Sequence, residues 1–176
     1  KTVDDRRISQ INFENVGINA DQIVATGDEA EQLIKDAINY GTLCVSAEAV
    51  GCMESCYLKT VEYTKGREQF GQPISNFQVL QHKMVDMFIE AELCKSLLYK
   101  SMIDMHENND SKYRSVSALK SQVGLSGKKV GEDAVQLHGG MGVSEEMSIG
   151  HYLKRFISID SQFGNSHFHL KKFNNS

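Results

Sequence analysis

Apolar residues recur every three or four positions over three long stretches of this chain, and each stretch predicts an amphipathic helix. From Asp28 to about Lys65 the series is Ile34, Ile38, Gly41, Val45, Ala49, Cys52 and Cys56. Small residues crowd this run (Gly41, Ser46, Ala47, Ala49, Gly51, Cys52, Ser55 and Cys56), which lets a neighbouring helix approach closely. From Phe77 to about Met105 the series is Phe77, Leu80, Met84, Met87, Ala91, Cys94, Leu98 and Met105, interrupted only by Ser101. Val85, Phe88, Leu97 and Met102 widen that stripe, as a bundle helix with several neighbours requires. From roughly Tyr113 to Leu137 it is Val116, Leu119, Val123, Val130, Ala134 and Leu137. Gly124, Gly127 and Gly131 share one face of this third helix, which predicts close packing there, within a bundle or between subunits.

Two shorter helices follow. Ser144, with Glu145 and Glu146 in a first turn, predicts a start for a fourth helix running to about Ser158. A last one covers roughly Phe163 to Phe173. The N-terminal segment reads differently. Ile11 and Phe13 alternate with polar neighbours, and Val16 and Ile18 alternate on the opposite parity. That is a strand pattern with a bulge or turn near Asn15. A lone strand cannot pair its own backbone, so residues 1–20 read as the leftover end of a β-domain. The expected architecture is all-α: an up-and-down four-helix bundle with a short extra C-terminal helix over residues 21–176, preceded by a β-strand remnant.

With 176 residues, 40% hydrophobic and 24% charged, the chain has the composition of one globular domain. A net charge of −4 without a Lys/Arg stripe argues against a nucleic-acid surface. No apolar run reaches membrane-spanning length. Cys44, Cys52, Cys56 and Cys94 all fall in helical patterns and read as small buried thiols of a reducing cytoplasm. Cys52 and Cys56 are spaced i, i+4, but no histidine is near enough to complete a metal site.

Chemistry concentrates in two breaks. Residues 67–81 read Arg-Glu-Gln-Phe-Gly-Gln-Pro-Ile-Ser-Asn-Phe-Gln-Val-Leu-Gln and include the only proline. Gly71 and Pro73 mark a turn, and Ser75 with Gln78 has capping-box spacing. This is either a plain helix connector or a connector from which Arg67 and Gln78 project towards an anionic or polar ligand. Residues 138–143, His-Gly-Gly-Met-Gly-Val, end the third helix. They follow a helix rather than a strand and carry no Walker lysine, so a phosphate loop of that type does not fit.

Arg67-x-x-Phe70-Gly71-x-Pro73-Ile74, with Phe77-Gln78 and Gln81-His82, resembles the signature near the start of the C-terminal helical domain of the acyl-CoA dehydrogenases. Gln136-Leu137-His138-Gly139-Gly140-Met141-Gly142 is similar to a second motif of that family, in the right order. The resemblance extends from about Arg6 to the C-terminus. It implies FAD-dependent oxidation of the α,β-bond of an acyl-CoA thioester, with electrons passed to an electron-transfer flavoprotein. It also implies a homo- or hetero-oligomer built through the helical bundle, with both motifs reaching the FAD of a neighbouring subunit. By the same resemblance Arg67 would pair with the pyrophosphate, where a planar guanidinium fork holds two oxygens. Phe70 would pack on the cofactor and Gln78 would bond its adenosine portion. Gln136, Gly139 and Gly140 would lie along adenine and diphosphate.

The departures fall on the catalytic base. The family's glutamate commonly lies in a Tyr-Glu-Gly-Thr-like motif near the C-terminus. Here that motif reads Phe163-Gly164-Asn165-Ser166, so Phe163 stands in the glutamate's place. A minority of members carry the glutamate in the first helix of the domain, and that position is Gly41. Neither side chain can take a proton. Asp160, three residues before Phe163, is the nearest substitute. Some bacterial members with a Phe-Gly-Asp-like motif are small subunits of paired, two-gene dehydrogenases, in which one subunit can lack the base. Asn165 departs even from that variant. Three expectations follow: the C-terminal FAD-binding and oligomerisation domain of such a dehydrogenase, inactive by itself; a non-catalytic partner that supports a flavin; or, disfavoured by the paired motifs, a helical interaction module with no flavin role.

Overall fold

The computed structural model describes residues 1–175. Five helices make up the body: α1 (Gly27–Gly66), α2 (Gln78–His106), α3 (Lys112–His138), α4 (Ser148–Ser161) and α5 (Ser166–Asn174). A two-residue antiparallel ladder, β1 (Glu68–Gln69) with β2 (Gln72–Pro73), sits in the α1–α2 connector. Short connectors between long packed helices give the expected up-and-down bundle with α5 appended. The third helix is its axis, packing against α1, α2, α4 and α5.

That central position explains the glycines of α3. A Cβ at Gly124 would collide with the Asp160 carboxylate and approach Ser166 Cβ to 2.8 Å. One at Gly127 would meet the Phe156 ring at 3.1 Å, and one at Gly131 would meet Leu153 and Phe156 at 2.9 and 3.0 Å. The glycine face is therefore an interface within the bundle, against α4 and the start of α5. Val116, Leu119, Val123, Val130, Ala134 and Leu137 are all buried, as their spacing predicts.

The expected spines of α2 and α3 hold, but Val85, Phe88 and Met102, expected to widen the α2 stripe, are exposed, and Ser101, expected to interrupt it, is buried; the stripe of α1 is displaced. Ile34 and Ile38 are exposed. The buried positions of α1 are Asn39, Thr42, Ser46, Ala49, Val50, Met53, Cys56, Thr60 and Thr64. Most of these are polar, yet they need no partner helix to satisfy them. Thr42, Ser46 and Thr60 hydroxyls donate to the carbonyls one turn back at 2.7, 2.7 and 2.8 Å, and Asn39 does the same at 2.7 Å. Small hydroxyl residues thus line much of the buried face of α1.

Other local expectations change too. Residues 1–18 form no strand, because no second strand is there to complete their hydrogen bonds. Ile8, Ile11, Phe13, Val16 and Ile18 lie exposed, and Asn15 turns the segment at φ 52°. Its start is nonetheless tied down. The buried Arg155 holds Asp4 at 2.8 Å and grips Glu48 of α1 at 2.6 and 2.7 Å, while Arg6 reaches Glu48 at 3.0 Å. Ser75 lies in a 3-10 turn, Ile74–Asn76, and Phe77 occupies the N-cap of α2. Helix α4 starts at Ser148 rather than at Ser144, because residues 139–143 form a 3-10 turn first. Cys56 and Cys94 are buried, with thiols pushed up to about 12 and about 11 by burial. Cys44 is exposed and Cys52 only half-buried, which corrects the expectation of four buried thiols. Among the described residues no helix is long and apolar enough to cross a membrane.

Lys120 is the largest fully buried side chain. Its Nζ donates to the carbonyls of Asp160 and Gly164, both at 2.9 Å, and so pins the α4–α5 corner to α3. Burial pulls its pKa from 10.5 down to about 8. Between those values the folded chain binds fewer protons than the unfolded chain, so stability rises with pH by up to about 3 kcal/mol. Cys56 and Cys94 act in the opposite direction above pH 9, but they are common to any Lys120 variant. The stability difference between the wild type and Lys120→Met, followed by urea denaturation, should therefore grow from pH 8 to 10.5. Parallel curves would contradict the burial of a titrating lysine.

Candidate functional site

The α1–α2 connector and the α3–α4 turn meet at one end of the bundle. Helix α1 stops at Gly66, and Arg67 caps it, its N–H donating to Tyr63 O at 2.9 Å. The chain then reverses through the ladder of β1 and β2, with Phe70 and Gly71 at the tip. Both take positive φ, 56° and 79°. Glycine adopts that conformation freely, whereas in phenylalanine it costs on the order of 1 kcal/mol. The strained Phe70 is 91% exposed and meets Phe77 edge-on, with ring centroids 6.1 Å apart. The Arg67 carbonyl accepts from Ile74 N–H at 2.8 Å, which closes the hairpin back onto the end of α1.

Opposite, α3 ends at His138, and Gly139 reverses the backbone with φ 60° and ψ −139°. Tyr63 and His138 stack across the two helices, with centroids 4.1 Å apart and planes 23° off parallel. Between them these elements line a groove of about 440 Å³ that holds Arg67, Gln136, Gly139 and Gly140 together. A Cβ at Gly139 or Gly140 would meet nothing within 4 Å, so the backbone there is open to a ligand's close approach. No carboxylate or hydrogen-bond partner meets the Arg67 guanidinium among the described residues. A second groove, of about 580 Å³, shares Tyr63, Arg67 and His138 and runs on to the start of α4. Four of the six residues expected to bind cofactor thus share one groove. Phe70 and Gln78 lie on the same connector outside it, Gln78 exposed in the first turn of α2. The Tyr63–His138 stack was not foreseen, since 75 residues separate its members; Tyr63 does sit one helical turn before Arg67.

Gly41 and Phe163, the two positions where the resemblance would place a base, also meet. A Cβ at Gly41 would lie 2.7 and 2.9 Å from Cζ and Cε1 of Phe163, so the ring fills the space that a side chain on α1 would need. Phe163 takes φ 57° at the α4–α5 corner. His169 Nε2 holds the Phe163 carbonyl at 3.0 Å. His169 is buried and His167 exposed, so their spacing does separate their faces. A cavity of about 450 Å³ beside Phe163 is lined by Ile38, Thr42, Phe168, His169 and the two lysines Lys35 and Lys172, with no Asp or Glu in its wall. Asp160 is engaged elsewhere: its Oδ1 accepts from Ser166 N–H at 2.9 Å at the start of α5, and its carbonyl accepts from Lys120.

The family model described as "Acyl-CoA dehydrogenase, C-terminal domain" matches residues 32–171. The short-chain specific acyl-CoA dehydrogenase of Megasphaera elsdenii is 28% identical over 144 residues, covering 81% of this chain and 37% of that protein. The structure of butyryl-CoA dehydrogenase from Megasphaera elsdenii superimposes with a TM-score of 0.87 at 25% identity, over 93% of this chain and 42% of that one. The structure of PigA with FAD and proline gives a TM-score of 0.76 at 25% identity, over 80% of this chain and 37% of that one. The chain therefore spans about two-fifths of the length of such relatives.

The contact between Gly41 and Phe163 can be measured by a double-mutant cycle. In a Phe163→Gly background, Gly41→Ala should stabilise the chain by about 1 kcal/mol through helix propensity. With Phe163 present, the same change should be neutral or destabilising, because the ring must move. Equal effects in both backgrounds would show that the two positions do not touch.

Proposed function

The chain belongs to the acyl-CoA dehydrogenase family, as its C-terminal helical domain, and from that premise we propose that the Arg67 groove binds the ADP half of FAD. The unpaired guanidinium of Arg67, beside an open glycine backbone, carries this reading. Arg67 would hold the pyrophosphate bidentately. Gly139 and Gly140 would let the diphosphate reach the backbone, and Gln136 would hydrogen-bond along it. The exposed ring of Phe70 would cover the cofactor, and Gln78 would bond its adenosine. When bound, FAD supplies the hydride acceptor for α,β-dehydrogenation of an acyl-CoA thioester. The flavin's electrons would leave through an electron-transfer flavoprotein.

The geometry favours a flavin shared between subunits. Arg67 follows Gly41 by 26 residues along the same α1, a rise of roughly 39 Å. One flavin dinucleotide does not span that distance. The groove and the base position of a single chain would then serve different flavins, which supports a homo- or hetero-oligomer. The exposed apolar run of residues 8–18 fits the end of a preceding β-domain, and without such a domain the chain would hold only part of a flavin site. We read it as inactive by itself.

A second reading has its own observation. With Phe163 packed on Gly41 and no carboxylate lining the adjacent cavity, this subunit would support a flavin without removing the α-proton. A partner would then carry the base.

In the whole polypeptide that carries this domain, Arg67→Ala should weaken FAD binding roughly 10- to 100-fold, the loss of a charge-assisted bidentate pair. Equilibrium dialysis measures it, and unchanged affinity would leave a helical module with no flavin role. The second reading is tested by stopped-flow bleaching of the bound flavin with acyl-CoA. Phe163→Glu should raise the rate. Turnover by the unsubstituted protein without a partner would rule out a non-catalytic role.

A further inference from the structure

We infer that His138 selects the base of the nucleotide in the Arg67 groove, its Nε2 accepting a hydrogen bond from an exocyclic amine so that adenine is preferred to hypoxanthine. This rests on reading the groove as a site for the ADP half of a cofactor.

The tautomer follows from the partners. His138 Nδ1 lies 2.8 Å from the carbonyl of Ala134, and a carbonyl only accepts. Nδ1 therefore carries the proton, and in the neutral ring Nε2 carries the lone pair. Burial lowers the pKa of this imidazole, which keeps it neutral at pH 7. No described residue donates to Nε2. The side chain is only 4% exposed, and it lines both grooves that Arg67 lines. Its Nε2 stays accessible from those grooves, where a ligand that brings a donor can pair with it.

The ring is also fixed in orientation. Tyr63 stacks on its face, and the Tyr63 hydroxyl reaches the His138 carbonyl at 3.4 Å. The bond to Ala134 sets the remaining rotation. A preset acceptor beside an unpaired guanidinium fits a ligand that offers a hydrogen-bond donor and a phosphate from one framework. Adenosine diphosphate carries both, the donor being its 6-amine. Inosine diphosphate has the same phosphates and sugar but places an acceptor oxygen where the amine was, opposite the Nε2 lone pair.

The test is calorimetric titration of the flavin-free whole protein with ADP and with IDP. ADP should bind about tenfold tighter, the value of one buried hydrogen bond exchanged for two facing acceptors. His138→Phe keeps a ring against Tyr63 but has no acceptor, so it should bring the two constants together by weakening ADP. Equal constants in the wild type would overturn the inference, whatever the variant does, and would assign the contact to a group common to both ligands, such as a ribose hydroxyl. A preference surviving in His138→Phe would overturn it as well. Arg67→Ala separates the two levels. Loss of both nucleotides in that variant with equal wild-type constants removes only the role of His138, whereas nucleotide binding indifferent to Arg67 removes the groove reading itself.

Discussion

The bare face of α3 is the constraint on which the molecule depends. Gly124, Gly127 and Gly131 withdraw their side chains so that Phe156, Leu153 and the Asp160 carboxylate can sit against the helix backbone. That approach carries the α4–α5 corner inward, where Lys120 fastens it by two carbonyls. Only then does Phe163 come to lie over Gly41 of α1. The α3–α4 turn that reaches the other side of the same helix pair also supplies Gly139 and Gly140 to the Arg67 groove. Both loci are consequences of how closely α4 packs on α3.

Much of this could be read from the chain. The 3-4 spacing located the helices and the central core positions of α2 and α3, where large apolar residues recur, although it also drew in Val85, Phe88 and Met102, which are exposed. The α1 stripe was obscured by chemistry: its buried face is built of Thr, Ser and Asn, whose hydroxyl and amide groups are satisfied by the helix's own carbonyls. Ser75 and Ser144 have the residue type of caps, but Ser75 lies within a 3-10 turn and Ser144 just after one, so the caps fall two and three residues later, at Phe77 and Met147. That Arg67, Gln136 and the glycine pair would come together in one groove was legible from the two motifs. Tyr63, His138 and Lys120 were not, since each acts through a partner distant in sequence.

The two loci differ in what they offer. The Arg67 groove has an uncompensated cation, a preset acceptor and open backbone, all features that a bound group would complete. At the Phe163 locus an aromatic ring occupies the room over Gly41, and Asp160 is engaged with the Ser166 N–H at the start of α5.

The most direct measurement is an experimental structure of the flavin-loaded assembly. The account predicts that the pyrophosphate of each flavin meets the Arg67 guanidinium of one subunit, while its isoalloxazine lies near Phe163 and Gly41 of another. Phosphates remote from Arg67, or a flavin whose two ends rest on the same chain, would contradict it.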